Sequence, residues 1–127
     1  MQDFQKLRVW NRAQELCVGL YRFSADFPVE ERYGITAQLR KAGVSVGSNI
    51  AEASQRRSPK DKARIINVSQ SEGAEVMSLL DLTTRLKYGR KGGAAEFIDH
   101  YETLQRMIET LCQRIRDDDE AAATLEV

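Results

Sequence analysis

The stretch from Tyr33 to Arg57, YGITAQLRKAGVSVGSNIAEASQRR, restricts the fold more than any other part of the chain. Wound as a helix at about 100° per residue, it separates into three faces. Ile35, Leu39, Ala42, Val46 and Ile50 form an apolar stripe. Gln38, Ser45, Asn49 and Glu52 form a polar stripe beside it rather than opposite it. Gly43, Gly47 and Ala51, at successive i+4 steps, leave a ridge with almost no side chain. A helix facing solvent on one side would carry Lys and Glu there. This pattern instead predicts protein on more than one side of the helix.

The remaining periodicities are also helical. Leu7, Trp10, Leu16 or Cys17, Leu20 and Phe23 recur at three and four in a first helix from about Gln5 to Ala25. Phe27-Pro28 ends it, because proline disfavours helical geometry in the residue before it. Ser58, followed by Pro59 and Asp61, reads as the N-cap, first residue and first-turn acid of a third helix running to about Tyr88. Its expected core stripe is Ile65, Val68, Glu72, Val76, Leu79, Leu82 or Thr83, and Leu86. Gly89-Arg90-Lys91-Gly92-Gly93 is a turn whose glycines supply the left-handed conformations that cap a helix. In a fourth helix, Phe97, Tyr101, Leu104, Ile108, Leu111 and Ile115 alternate steps of four and three, a heptad seam. Asp117-Asp118-Asp119-Glu120 opposes the helix dipole, so ordered helix is expected to stop there and residues 117–127 to form a frayed acidic tail. The expected fold is all-α, an up-down-up-down antiparallel four-helix bundle, as one domain over residues 1–127.

Nineteen basic and nineteen acidic residues cancel, which removes any global attraction to nucleic acid or membrane. The cancellation hides a segregation: residues 36–70 hold seven Lys/Arg against two Asp/Glu, and residues 96–127 hold three against nine. Cys17 and Cys112 are isolated among apolar helical residues and read as reduced core thiols, not as a disulfide framework. With no apolar signal core and no window near the ~20 apolar residues of a membrane span, a cytoplasmic location away from membranes is expected.

A family resemblance rests on the central stretch. Tyr33-Gly34, Gln38, Arg40-Lys41-Ala42, Ser45, Asn49-Ile50-Ala51-Glu52 and Arg57-Ser58 resemble the signature of the four-helix bundle proteins also called intervening-sequence proteins of large-subunit ribosomal RNA genes. The accessory variability determinant of diversity-generating retroelements is a relative. The resemblance runs from about Phe4 to Ile115 and takes in Trp10, Ala13, Tyr21, Pro28, Glu75 and Tyr88. Ala53 stands where the family has glycine, and Ser71-Glu72 where it has Gly-Ser. The resemblance implies a homo-oligomer, with a ring of five favoured, and an accessory role with RNA or DNA.

Three constellations carry the functional expectations. Gln38, Ser45, Asn49, Glu52 and Glu75, with the ridge at Gly43 and Gly47, are expected to form a polar network and oligomer interface, since buried Asn in helical assemblies specifies register and oligomer state. Arg40, Arg56, Glu75 or a neighbouring subunit are the candidate partners of Asn49 and Glu52. The basic cluster Arg40, Lys41, Arg56, Arg57, Lys60, Lys62 and Arg64 gathers near the loop between helices two and three and is the candidate nucleic-acid surface. Enzyme chemistry finds no support: His100 is the only histidine, and no Glu-x-x-His pair, zinc set or activated nucleophile accompanies it. No cofactor or metal is expected. The two functional readings are a nucleic-acid-binding accessory protein and a structural module whose partner is another protein.

Overall fold

Ser58 shows how locally the helix boundaries are set. Its Oγ accepts a hydrogen bond from the Asp61 backbone N–H at 3.1 Å, and Pro59 occupies the first helical turn. The cap, the proline and the first-turn acid all act as the sequence predicts.

The computed structural model describes residues 3–126, with side chains from 3 to 121. A 3-10 turn, Phe4–Lys6, leads into α1 (Arg8–Phe23); two further 3-10 turns, Ser24–Asp26 and Val29–Glu31, lead to α2 (Ile35–Ser54). Helices α3 (Pro59–Leu86) and α4 (Gly93–Glu126) complete the bundle, and no strand occurs among the described residues. Each helix packs on its neighbours in sequence, and α4 returns to α1, so the arrangement is up-down-up-down. The tightest pairs are α2 with α3 and α3 with α4, while α1 meets α4 over a shorter seam.

The core follows the predicted stripes of α2 and α4, and that of α1 from Leu16 onward; at the start of α1 Val9 and Ala13 are buried instead, with Leu7 and Trp10 only partly so. Leu20, Leu39, Val46, Ile50, Tyr101, Leu104, Ile108 and Cys112 are fully excluded from solvent. At the turn end, Phe27 packs on Tyr88 with ring centroids 5.6 Å apart, and the Tyr88 hydroxyl donates to Glu31 Oε2 at 3.0 Å. Those contacts fasten the α1–α2 connection to the α3–α4 turn.

Three boundaries or phases differ from expectation. The stripe expected of α3 holds only in part: Ile65, Val76 and Thr83 are buried as expected and Leu79 partly so, but Ile66, Ser69, Gly73 and Leu80 complete the core side, whereas Val68, Leu82 and Leu86 stand 41%, 43% and 43% exposed. Small residues take the core side because other chains of atoms come close there. Ser69 Oγ donates to the Val46 carbonyl at 2.8 Å, and a Cβ on Gly73 would fall 2.5 Å from Gln105 Oε1. Secondly, Lys87 rather than a glycine adopts the left-handed conformation that ends α3, at φ 62°; Gly89 and Gly92 supply the next two positive φ values. Thirdly, α4 continues through Asp117–Glu120 to Glu126. Alanines 121–123 favour helix strongly, and the dipole penalty acts only within a last turn, at about 0.3–1 kcal/mol per charge. The final residue of the expected tail, residue 127, lies outside the described residues.

Candidate functional site

The ridge of small residues on α2 is used inside the chain. A Cβ on Gly43 would stand 2.8 Å from Leu20 Cδ1 and 3.5 Å from Cys17 Sγ. One on Gly47 would stand 2.7 Å from Gln14 Oε1 and 3.7 Å from Ala13 Cβ. Both glycines therefore let α1 approach α2. The same flank carries Arg40, whose Nε donates to Ser24 Oγ at 2.9 Å and whose Nη2 donates to the Tyr21 carbonyl at 3.1 Å. Its guanidinium lies 4.6 Å from the Tyr21 ring centroid, within cation–π range. Arg40 clamps α1 to α2.

The polar stripe lies on the opposite flank of α2, beside α3. Asn49 is half-buried and donates to its own helix, at the Ser45 carbonyl 2.8 Å away. Glu52 is exposed and pairs with Arg56 at 2.5 Å. Gln38 and Glu75 are exposed. Of the candidate partners, only Arg56 is realised, so the stripe forms no network between helices within one chain.

Next to that stripe, α3 presents a second heptad. Val68, Glu72, Glu75, Leu79, Leu82 and Leu86 follow steps of four and three along one edge. Leu79 is partly buried on the core, but Val68, Leu82 and Leu86 are open, and Val44 on α2 is 45% exposed. Within this edge Glu72 has its carboxyl held above the ordinary value, first by burial and then by the charge and hydrogen bond of Glu75, with Lys41 pulling the other way. Lys41, Glu72 and Glu75 thus form a mixed-charge centre between apolar ends. Sequence spacing alone assigns Val68, Glu72, Leu79, Leu82 and Leu86 to the core, because it cannot say which of two adjacent seams faces inward.

The basic cluster is not one surface. Arg40 lies 16 residues from Arg56, about 24 Å along the helix at 1.5 Å per residue. Near the α2–α3 loop, Asp61 accepts from Arg64 at 2.7 Å and lies 3.7 Å from Arg56. Lys62 Nζ donates to the Ser54 carbonyl at 3.2 Å, capping the end of α2. Arg57 and Lys60 are exposed and carry no ion pair among the described residues. The acid run shares this end of the bundle. Gln70 bonds Glu109 and Cys112 bonds Asn67, and the same antiparallel register sets Asp117–Glu120 opposite the start of α3.

Chemistry has little to work with. His100 Nδ1 lies 3.0 Å from Arg12 Nη2, not beside a nucleophile. Cys17 and Cys112 are buried, and burial raises both thiols above their usual values, away from reactivity. Among the described residues no group of three or more His, Cys, Asp or Glu could hold a metal ion. No helix among them is long and apolar enough to cross a membrane.

These observations define an all-α four-helix bundle whose distinctive features are its outer faces. The chain matches the family of 23S rRNA-intervening sequence proteins over residues 5–110, and it belongs to that family. It is also similar to the crystal structure of a protein of unknown function from the S23 ribosomal protein family of Bacteroides thetaiotaomicron. The two are 21% identical with a TM-score of 0.73, over 82% of this chain and 97% of the other; a likeness at that identity is one of fold. No curated protein matches the chain.

Proposed function

We propose that this protein is a non-enzymatic bundle that assembles with copies of itself through the outer face of α2 and α3. The observation that carries the reading is the exposed heptad of α3, with Val68, Leu82 and Leu86 open to solvent beside the uncharged Gln38, Ser45 and Asn49. Its occupant is a second copy because the face holds both Lys41 and the Glu72–Glu75 pair, so the cationic part of one copy's face complements the acidic part of the next in a heterologous contact of the kind that closes a ring. Asn49 and Gln38 then find partners across the contact and set its register. Burying the exposed part of each apolar side chain contributes roughly 1 kcal/mol. The resemblance to intervening-sequence proteins favours five chains in a ring. The non-enzymatic reading is supported by a lone histidine bound to an arginine and by thiols sealed in the core.

The test is a Val68→Glu, Leu82→Glu double variant, studied by gel filtration with light scattering. A monomer with unchanged helical circular dichroism supports the reading, since both positions are exposed in the single chain. An unchanged oligomer places the interface elsewhere.

A second reading, that the assembly is a nucleic-acid accessory, is favoured by the unpaired Arg57 and Lys60 and by the ribosomal RNA gene context in the family's name. Charge reversal at both positions, with binding of labelled oligonucleotides measured at low salt, tests that placement.

A further inference from the structure

We infer that the groove between α1 and α4, rather than the α2–α3 loop, is the nucleic-acid surface, and that it takes the phosphodiester backbone of a strand. This rests on the nucleic-acid reading and gives it a different location. On α1, Arg8, Arg12, Glu15, Gly19 and Arg22 follow one another at steps of four and three along the flank that faces α4. Clefts along that seam are lined by Lys6, Arg8 and Arg114 at one end, by Arg8 and Arg12 in the middle, and by Arg22 and Arg90 at the other end.

The groove exists because α1 and α4 touch closely at only part of their length. A Cβ on Gly19 would stand 2.7 Å from Phe97 Cε1, so the helices meet there. Towards the start of α1 the α4 wall is Met107, Thr110 and Leu111, and the seam opens.

Four of the six charges are available; Arg12 is held by Glu15 and His100, and Arg90 by Glu96 at 2.6 Å. Lys6, Arg8, Arg22 and Arg114 form no ion pair among the described residues. Of the carboxylates lining the clefts, Glu15 is taken up by Arg12 at 3.2 Å, and Asp26 stands at the far end beside Arg22. At the loop, by contrast, only Arg57 and Lys60 are without an ion pair or side-chain hydrogen bond among the described residues, since Arg56 and Arg64 share Asp61, Glu52 holds Arg56 and Lys62 bonds the Ser54 carbonyl. The run Asp117–Glu120 follows Arg114 at the end that the loop and the groove share.

The length and type of the cations identify the ligand. Arg8 to Arg22 spans about 21 Å of helix at 1.5 Å per residue. That matches about six phosphates of a strand at about 3.4 Å of axis each. Arginine, which dominates the groove, binds phosphate oxygens through two parallel N–H bonds. No exposed aromatic row accompanies the cations, so recognition is of backbone and carries little base preference.

The experiment is fluorescence anisotropy with a fluorescein-labelled single-stranded RNA of about 20 nucleotides and a duplex of equal length, at low salt. The proteins are the full chain, Arg8→Glu with Arg114→Glu, Arg22→Glu, and Arg57→Glu with Lys60→Glu. All these side chains are exposed, and circular dichroism with thermal unfolding verifies the fold of each. The expected result is a loss of at least tenfold for the Arg8/Arg114 pair, with the salt slope reduced by about 1.4, the share of two single-strand contacts. Arg22→Glu should weaken binding by several-fold, and the loop pair by less than threefold. Loss confined to the loop pair overturns the groove while leaving the nucleic-acid reading intact. Absence of binding by the wild type at low salt overturns both. Competition by polyglutamate as strong as by unlabelled RNA overturns the phosphate assignment and points to an acidic protein instead.

Discussion

Gly43 and Gly47 lie one turn apart on the same ridge, yet alanine should move stability in opposite directions at the two positions. Replacing a helix-interior glycine by alanine contributes about 0.5–1 kcal/mol through the backbone alone. At Gly47 the new methyl meets Gln14 Oε1, the far end of a flexible and exposed side chain, and otherwise only Ala13 Cβ at ordinary contact distance, 3.7 Å. Gln14 can swing away, so most of the gain survives and Gly47→Ala should stabilise by about 0.5–1 kcal/mol. At Gly43 the methyl meets Leu20 Cδ1 at 2.8 Å, and Leu20 is fully buried with nowhere to retreat. Overpacking of this kind costs about 1–3 kcal/mol, so Gly43→Ala should destabilise by roughly 1 kcal/mol net. The two variants should therefore melt about 5–8 °C apart, at roughly 3–5 °C per kcal/mol for a chain of this size. Thermal and urea unfolding at one fixed protein concentration measures the difference, since assembly makes the midpoint concentration-dependent. A Gly43→Ala variant as stable as Gly47→Ala would refute the account of the α1–α2 contact.

Tyr101 has a fully buried hydroxyl without a hydrogen-bond partner, and burial lifts its phenol far above the usual range. Tyr101→Phe should accordingly raise stability by about 1 kcal/mol in urea titrations; a loss of stability would show that the hydroxyl is satisfied. Ellman's reagent at mildly alkaline pH should label neither Cys17 nor Cys112 in the folded protein and both after guanidinium is added; rapid labelling in the native state would contradict their burial. Glu72 has a folded-state pKa above its ordinary value of 4.5, so its contribution to stability is fully present below the unfolded value and is lost as pH rises through the folded one. Glu72→Gln should flatten that fall in urea midpoint, and an unaltered pH profile would remove Glu72 as its source.

Much of the fold is legible in the sequence because its signals are local. Ser58-Pro59 and the seam through Tyr101, Leu104 and Ile108 each need only neighbouring residues to act. The phase of α3 is different: two heptads run side by side, and the core one is marked by Ser69 and Gly73, which hydropathy reads as surface. Their burial follows from the approach of Val46's carbonyl and of Gln105, contacts between distant parts of the chain. The ridge at Gly43 and Gly47 announces a close helix contact, but spacing cannot say that the partner is α1. Arg40 and Lys41 appear to join the loop cations only when the chain is read as a line; on the helix they are several turns away and on other faces. The α1–α4 groove was invisible for the converse reason, since residues 6–22 and 90–114 become neighbours only when the bundle closes.

The outer α2–α3 face is the surface we propose to be covered by another copy of the chain. Sedimentation of the wild-type protein across a dilution series from tens of micromolar downwards tests that directly. The prediction is a species of several chains, five being the favoured number, that persists at micromolar concentration. A single 14.4 kDa chain throughout the series would contradict it.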